Sequence, residues 1–204
     1  EVIAQEKPDA VVCATGAAYT TAAPSPYRSE RTAIPGCDQK NVIDVSTATK
    51  RALQDPTSLG KGVIIVDETA SYLPLGLAEV LATQGGVEVE VITPHLFVGE
   101  DLLRTLDMPM LFPRLVAAGV KLTAQHFIEK IEGNTVEVYH LWGGAHRFIS
   151  EVDTVVISAM RTPNDGLFTE IRDSFKEVHR VGDVVAPRKP MAVIYEGEKL
   201  GREI

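Results

Sequence analysis

Apolar positions along this chain follow two rhythms, one continuous and one alternating. From Gly62 to Val66 the sequence runs Gly-Val-Ile-Ile-Val without a polar break. It is β-branched and too short for a globular helix, so a buried strand is predicted. A polar turn follows, Asp67 to Ser71. Pro74 then stands where a helix can start without its N–H, and Leu77, Ala78, Val80, Leu81 and Ala82 supply a helical apolar face. Gly85-Gly86 stops the helix, and Val87-Glu88-Val89-Glu90-Val91-Ile92 alternates with period two as a second strand. Strand, turn, helix and strand make the βαβ unit of a dinucleotide-binding fold.

The same reading extends to both sides. A turn is expected at Lys7-Pro8, then a buried strand from Asp9 that runs into the small-residue loop Ala14-Thr15-Gly16-Ala17. Tyr19 to Asp38, with Pro24, Pro26, Pro35 and Gly36, reads as a long polar connection. Ser46 is a candidate cap for a helix over Thr47 to Leu53, closed by Asp55-Pro56. Gly99 to Gly119 reads as helix in two pieces, broken at Pro109 and Pro113. Val120 to Ala124 is predicted as a parallel strand. Phe127–Glu132, Thr135–Trp142 and Arg147–Ser150, turned at Gly133-Asn134 and Gly143-Gly144, are predicted as an antiparallel three-stranded meander. Asp153 to Ala159 is another buried strand. Leu167–Phe175 reads as a helix, Glu177–Val181 as a short strand and Met191–Arg202 as a C-terminal helix.

The chemistry of the central turn departs from its fold. A phosphate-binding turn of G-x-G-x-x-G type uses glycines so that backbone amides close on a pyrophosphate. Here the turn carries Asp67, Glu68, Thr69, Ala70 and Ser71, and only Gly76 stands near a glycine position. Two carboxylates beside the ligand's path would repel it by about 4 kcal/mol per contact at about 4 Å and an effective dielectric of about 20. A helix N-terminus returns only about 0.3–1 kcal/mol per charge. After the second strand, Thr93-Pro94-His95 offers neither an acid for a ribose hydroxyl nor an arginine for a 2′-phosphate. The turn therefore predicts poor NAD(P)H binding.

Composition narrows the classes. The 204 residues are 45% hydrophobic, which suffices for one large or two small α/β cores. A net charge of −8 and the lack of a basic run argue against nucleic acid. The longest apolar stretch falls short of a membrane span, no basic-then-apolar leader opens the chain, and a cytoplasmic location is expected. Cys13 and Cys37 lack metal or redox spacing, and Cys13 reads as a core residue. The five histidines, His95, His126, His140, His146 and His179, show no ligand spacing and no acidic partner in pattern, so no metal site is predicted. Tyr195 and Lys199 match Y-x-x-x-K, but without a glycine-rich turn at the chain's start the match reads as chance. No catalytic residue is assigned.

Three segments carry a family resemblance: Ala14-Thr15-Gly16 with Ile34-Pro35-Gly36, Tyr139-His140-Leu141-Trp142-Gly143, and Gly182-Asp183-Val184-Val185-Ala186-Pro187-Arg188. Their order resembles the two-dinucleotide-fold flavoproteins. More narrowly, the chain resembles the C-terminal region of the trimethylamine dehydrogenase and 2,4-dienoyl-CoA reductase family. The resemblance implies an α/β, Rossmann-like FAD/NAD(P)-binding fold. An NAD(P)-type domain, residues 60–161, would be inserted in a partial, split FAD/ADP-type domain, residues 1–59 and 162–204. Ala14, Thr15 and Gly16 would lie against the dinucleotide, and Gly182 and Asp183 would take a ribityl or ribose hydroxyl. Arg188 would face a phosphate or a neighbouring domain. Thr69, Ser71 and Gly76 are the candidates for the inserted domain.

By the same resemblance FAD or ADP is expected in the split domain, while an FMN-bearing barrel and a four-iron cluster lie upstream of the matching segment. The expected partners are that barrel and an electron-transfer protein, in a homo-oligomeric parent enzyme. The expected function is thus the nucleotide-binding portion of an FMN- and iron–sulfur-containing flavin oxidoreductase, inactive as an isolated fragment. Two alternatives stand beside it: an interface domain with vestigial nucleotide sites, and an NADH-using reductase module in which Thr69 and Ser71 replace glycine contacts.

Overall fold

The computed structural model describes residues 5–6, 8–22 and 24–204. The turn expected at Lys7-Pro8 lies partly outside them. Twelve strands and six helices of the described residues are labelled in chain order: β1 (Val11–Cys13), β2 (Ala17–Ala18), β3 (Val42–Asp44), α1 (Val45–Gln54), β4 (Gly62–Asp67), α2 (Tyr72–Gly85), β5 (Glu88–Ile92), α3 (Leu102–Thr105), α4 (Met108–Ala117), β6 (Lys121–Thr123), β7 (His126–Glu132), β8 (Thr135–His140), β9 (Arg147–Ile149), β10 (Thr154–Ser158), β11 (Thr162–Pro163), α5 (Gly166–Ile171), β12 (Val178–Arg180) and α6 (Pro190–Glu203).

Contacts divide the chain into two compact units, residues 19–160 and residues 1–18 with 161–204. The larger unit is built on a five-stranded parallel sheet in the order β3-β10-β4-β5-β6. Its central strands are buried on both faces, which is why they read as continuous apolar runs. Along β4, Val63 and Ile65 enter one core with α1, α2 and α4, while Ile64 and Val66 enter a second core under the meander β7-β8-β9. Each such fully buried side chain contributes about 1.5–3 kcal/mol relative to exposure. Mixed α/β architecture with a parallel sheet and an antiparallel meander is thus observed.

Residues 19–59, expected in the flanking domain, pack instead with the larger unit. Val42 and Ile43 pair with Val155 and Val156 of β10, and Val45, Ala48 and Ala52 of α1 enter its core. The division therefore falls at Ala18/Tyr19 rather than at residue 60. Helix α1 is capped by Asp44, whose carboxylate accepts from Ser46 and Thr47 amides at 2.9 and 3.0 Å, not by Ser46. The expected break at Pro109 lies earlier, at left-handed Leu106 (φ 61°), while Pro109 sits in the first turn of α4 and Pro113 lies within it. Helix α2 starts at Tyr72, two residues ahead of Pro74. Helix α5 stops at Ile171, short of the predicted Phe175.

A bulge between Ile128 and Lys130 interrupts the β7 alternation, so Phe127 and Ile128 are both buried. Glu129 is left to receive the 19–41 connection. Arg28 reaches its carboxylate at 2.7 Å, and Arg31 bonds both its carbonyl, at 2.7 Å, and its carboxylate. Glu90, on the meander face of β5, is ringed by Arg147, Lys121 and Thr123 at 2.5, 3.1 and 2.7 Å. Burial alone would raise its pKa, but these partners hold it below the usual carboxylate range.

In the smaller unit β1 pairs in parallel with β12, and β2 pairs antiparallel with β11. Helix α6 carries no buried residue. Among the described residues, no helix is long and apolar enough to cross a membrane.

Candidate nucleotide sites

The C-terminal ends of β4 and β10 meet where Glu68 N–H donates to the Ser158 carbonyl at 2.9 Å. In open α/β sheets ligands bind outside such strand ends. Continuing the β4 alternation past Val66 sends Asp67 toward the helix side and Glu68 toward the meander side. Each carboxylate therefore meets different partners.

Asp67 is completely buried. Its Oδ1 accepts from the Thr69 amide, the Ala70 amide and the Thr69 hydroxyl, at 2.9, 2.9 and 2.8 Å. Its backbone carbonyl accepts from the Thr93 hydroxyl at 2.6 Å. Thr69 Oγ1 also lies 2.9 Å from Ser71 Oγ and 3.1 Å from Ser158 Oγ. Accepting from the amides two and three residues on makes this an Asx turn, which leads into the Ser71 N-cap of α2. Burial pushes Asp67 up to about 6, with the Thr69 and Ala70 bonds pulling the other way.

Glu68 points away from that turn. Ser25 Oγ donates to its carboxylate at 2.5 Å, and burial, with a smaller contribution from the Asp67 charge, pushes it up to about 7. His95 Nε2 donates to the Glu68 carbonyl at 3.0 Å, and Tyr27 OH reaches His95 Nδ1 at 3.4 Å. Tyr27 also stands edge-on to the His95 ring, with centroids 5.8 Å apart. The pair expected to flank a pyrophosphate is thus split between two faces. Only Asp67 stays within the turn, where it takes the Thr69 and Ala70 amides. His95, His146 and His179 have acidic neighbours after all, Glu100, Glu137 and Glu177, at 3.7, 2.6 and 2.9 Å.

Thr69 and Ser71 come together at this turn, whereas Gly76 does not join them. It sits in the second turn of α2, where a Cβ would approach the Tyr72 ring at 3.0 Å.

The smaller unit gathers most of its expected residues. Pairing of β1 with β12 brings the Ala14-Thr15-Gly16 loop and the Gly182–Val184 turn to the same end of that sheet, joined by Val181 N–H on the Cys13 carbonyl at 3.1 Å. Thr15 Oγ1 donates to the Asn164 carbonyl at 2.5 Å, and the Gly16 carbonyl accepts from the Asn164 amide at 2.9 Å. Asp183 pairs with Arg161 and accepts from the Arg188 amide at 3.0 Å. Its side chain keeps 17% exposure, and a carboxylate has about four acceptor sites, so it retains capacity for a ribose hydroxyl. The Arg188 guanidinium pairs with Glu196 at 2.6 Å, and Glu196 also accepts from the Gly182 amide at 3.0 Å.

Arg161 and Glu196 were not singled out from the sequence. Glu196 had a faint signal, lying three residues after Val193 on one face of α6; Arg161 had none. Gly182 has φ 78°, and a Cβ there would sit 2.9 Å from Val193 Cγ1. Gly182→Ala is expected to cost about 1–2 kcal/mol through left-handed backbone and crowding. Denaturant melts read it, and an unchanged midpoint would mean that this turn does not hold its left-handed backbone in the folded protein.

The sequence matches the OYE-like second alpha/beta domain family over residues 48–162, more than half of the chain, and the chain belongs to that family. Solved structures place the whole chain on related folds. It superposes on a 6-hydroxypseudooxynicotine amine oxidase from Pseudomonas geniculata N1 with TM-score 0.86 and 24% identity, over 98% of this chain and 29% of that one. For histamine dehydrogenase from Rhizobium sp. 4-9 the values are 0.84 and 24%, over 96% and 29%. For a 2-naphthoyl-CoA reductase they are 0.75 and 24%, over 99% and 28%. The chain thus spans under a third of each of these proteins. Family and neighbours fit the C-terminal region of the trimethylamine dehydrogenase and 2,4-dienoyl-CoA reductase group.

Proposed function

We propose that this chain is the nucleotide-binding portion of a larger flavin oxidoreductase, with one serviceable nucleotide site and one closed one. The smaller unit is read as part of a split FAD/ADP-type domain, and the larger as an NAD(P)-type domain inserted in it. FAD or ADP would be held by the Gly16 loop and the Gly182-Asp183 turn. Asp183 would accept from a ribose or ribityl hydroxyl, with Arg161 and the Arg188 amide fixing its orientation. Arg188 itself is tied to Glu196, which weakens its claim on a phosphate.

The observation that carries the reading is the Asp67 carboxylate seated on the Thr69 and Ala70 amides. A domain whose strand–helix turn already holds a buried carboxylate is a poor carrier of NAD(P)H, so electrons are assigned to leave through a protein acceptor. Substrate chemistry, FMN and a four-iron cluster are assigned to a barrel beyond this chain, in a homo-oligomeric, cytoplasmic enzyme. FAD would supply two-electron redox chemistry when bound; this chain's residues bind and orient it. A second reading, an interface role for the smaller unit, draws on the bare face of α6, where Met191, Ile194 and Tyr195 are 83%, 71% and 65% exposed.

Calorimetric titration of the full-length parent with ADP, FAD, NADH and NADPH tests this. Binding of ADP or FAD, weakened at least roughly tenfold by Asp183→Ala, is expected, a factor set by one lost charge-assisted hydrogen bond. Micromolar NADH binding would overturn the closed-site assignment. Silence toward every nucleotide would leave the interface role.

A further inference from the structure

We propose that Glu196 of α6 is the positioning residue of the Gly182-Asp183 turn, and that it fixes what the turn reads: the hydroxyls of a ligand's ribose or ribityl chain, not its phosphates. This role rests on the function proposed above and names what that site recognises. One Glu196 oxygen accepts from the Gly182 amide at 3.0 Å, and the other takes the Arg188 guanidinium at 2.6 Å. The carboxylate therefore holds both ends of the 182–188 segment. Asp183 lies between those ends and is aimed by them. The Arg188 amide donates to its Oδ1 at 3.0 Å, and Arg161 pairs with its Oδ2 while reaching the Arg188 carbonyl at 3.2 Å. Releasing Arg188 from Glu196 loosens a residue on which the aim of Asp183 depends.

The helix is built for this contact. Val193 and Glu196, three residues apart, share one face of α6, and both side chains bear on Gly182. α6 buries none of its residues, so burial does not lock it over the turn. The two charge-assisted bonds of Glu196 supply a directional restraint instead. The Arg188 bond, and after it the Gly182 amide, holds the Glu196 carboxyl below the usual carboxylate range, so the clamp is ionised at neutral pH. The same bonds sort the turn's donors from its acceptors. Gly182 N–H is engaged by Glu196, and the Arg188 amide by Asp183. The Arg188 guanidinium is engaged by Glu196 and, through Nε, by the Ala186 carbonyl at 3.0 Å. An anion needs donors, and these are taken. Asp183 retains acceptor capacity, which suits an O–H group.

The test is calorimetric titration of the full-length parent with ADP and with adenosine, which share the ribose and differ in the diphosphate. Glu196→Ala is expected to weaken both ligands alike, by roughly three- to tenfold, the range set by one displaced hydrogen bond. Glu196→Gln keeps an acceptor for Gly182 N–H and loses the Arg188 ion pair, so it should fall between the alanine variant and the wild type. If the alanine variant does not fold, the glutamine variant decides alone. In an Asp183→Ala background, Glu196→Ala is expected to change neither affinity further, because it acts through Asp183. A lowered melting temperature with both affinities unchanged would overturn the inference and leave Glu196 a purely structural residue. So would full additivity with Asp183→Ala. Tighter ADP binding by Glu196→Gln, with adenosine unmoved, would overturn it too and make Arg188 a phosphate reader. The Asp183→Ala arm keeps the two readings apart. A parent whose ADP affinity ignores Asp183→Ala refutes the nucleotide site and the role of Glu196 with it. One that loses affinity with Asp183→Ala but not with Glu196→Ala refutes the role of Glu196 alone.

Discussion

Replacing Gly36 by alanine is expected to destabilise the larger unit by on the order of 4 kcal/mol, a large share of the roughly 5–15 kcal/mol typical of a whole domain. Gly36 adopts φ 87°, and a Cβ built there would lie 2.0 Å from the Ile131 carbonyl oxygen and 2.6 Å from Gln39 Nε2. The first of these is backbone of a paired strand and cannot swing aside. It is also committed twice over: Ile131 N–H donates to the Pro35 carbonyl at 2.8 Å, and Gln39 Nε2 donates to the Ile131 carbonyl at 2.8 Å. Relief would require β7 to part from the Ile34–Gly36 segment, exposing Ile34 and Cys37, which help to close the second core.

Gly133→Ala is the matched control. Its φ is 60°, and nothing lies within 4 Å of its added Cβ, so it measures the left-handed backbone cost alone. That cost is about 1–2 kcal/mol. Thermal melts should therefore show a drop of roughly 8–16 °C for Gly36→Ala and a few degrees for the control. Equal losses would mean that the close approach to Ile131 is not a feature of the folded protein.

Gly36 illustrates what the chain made legible and what it hid. The Ile34-Pro35-Gly36 triplet was visible as a family sign, but the reason for its glycine is a carbonyl on a strand 95 residues further on, and no local pattern encodes that. The parallel strands and the meander were legible because burial on two faces, and alternation between turns, leave marks of their own in composition. Strand β3 was not, since Val42-Ile43-Asp44 is too short to show a period, and with it went the assignment of residues 19–59. Asp44 and Ser46 are both good caps; which one serves is fixed by where β3 ends.

The opposite aims of Asp67 and Glu68 were within reach. Extending the strand by one residue to Asp67 and carrying the alternation forward separates them. Their distant partners, Ser25 at a separation of 43 residues and His95 at 27 for Glu68 and Thr93 at 26 for Asp67, were out of reach. The same holds in the smaller unit, where Arg161 finds Asp183 and Glu196 finds the Gly182 amide only after the chain has folded.

Those two carboxyls also give the larger unit an unusual response to acid. Asp67 is pushed from 3.8 up to about 6 and Glu68 from 4.5 up to about 7, in both cases first by burial. The folded state thus holds protons between about pH 4 and pH 7 that the unfolded chain has released. Stability from this pair is present below the unfolded values and is lost as pH rises through the folded ones. Glu90 and Glu129 are held low by their arginines, so their stabilisation is intact above the unfolded carboxylate value and fades only in stronger acid.

From pH 7.5 down to 5 the first effect is therefore expected to govern. At about 1.4 kcal/mol per pH unit of displacement, and with the Asp67 charge itself part of what raises Glu68, so that the two shifts do not simply add, the gain is on the order of 2–3 kcal/mol. That corresponds to about 5–10 °C in melting temperature. Glu68→Gln keeps an acceptor for Ser25 and removes the buried charge. It should stabilise the protein by about 1–2 kcal/mol at pH 7.5 and flatten the curve, leaving the shallower dependence that belongs to Asp67. A wild-type melting temperature that falls steadily from pH 7.5 to 5 would show that neither carboxyl is desolvated in solution. A glutamine variant whose curve runs parallel to the wild type's would clear Glu68 and assign the whole effect to Asp67.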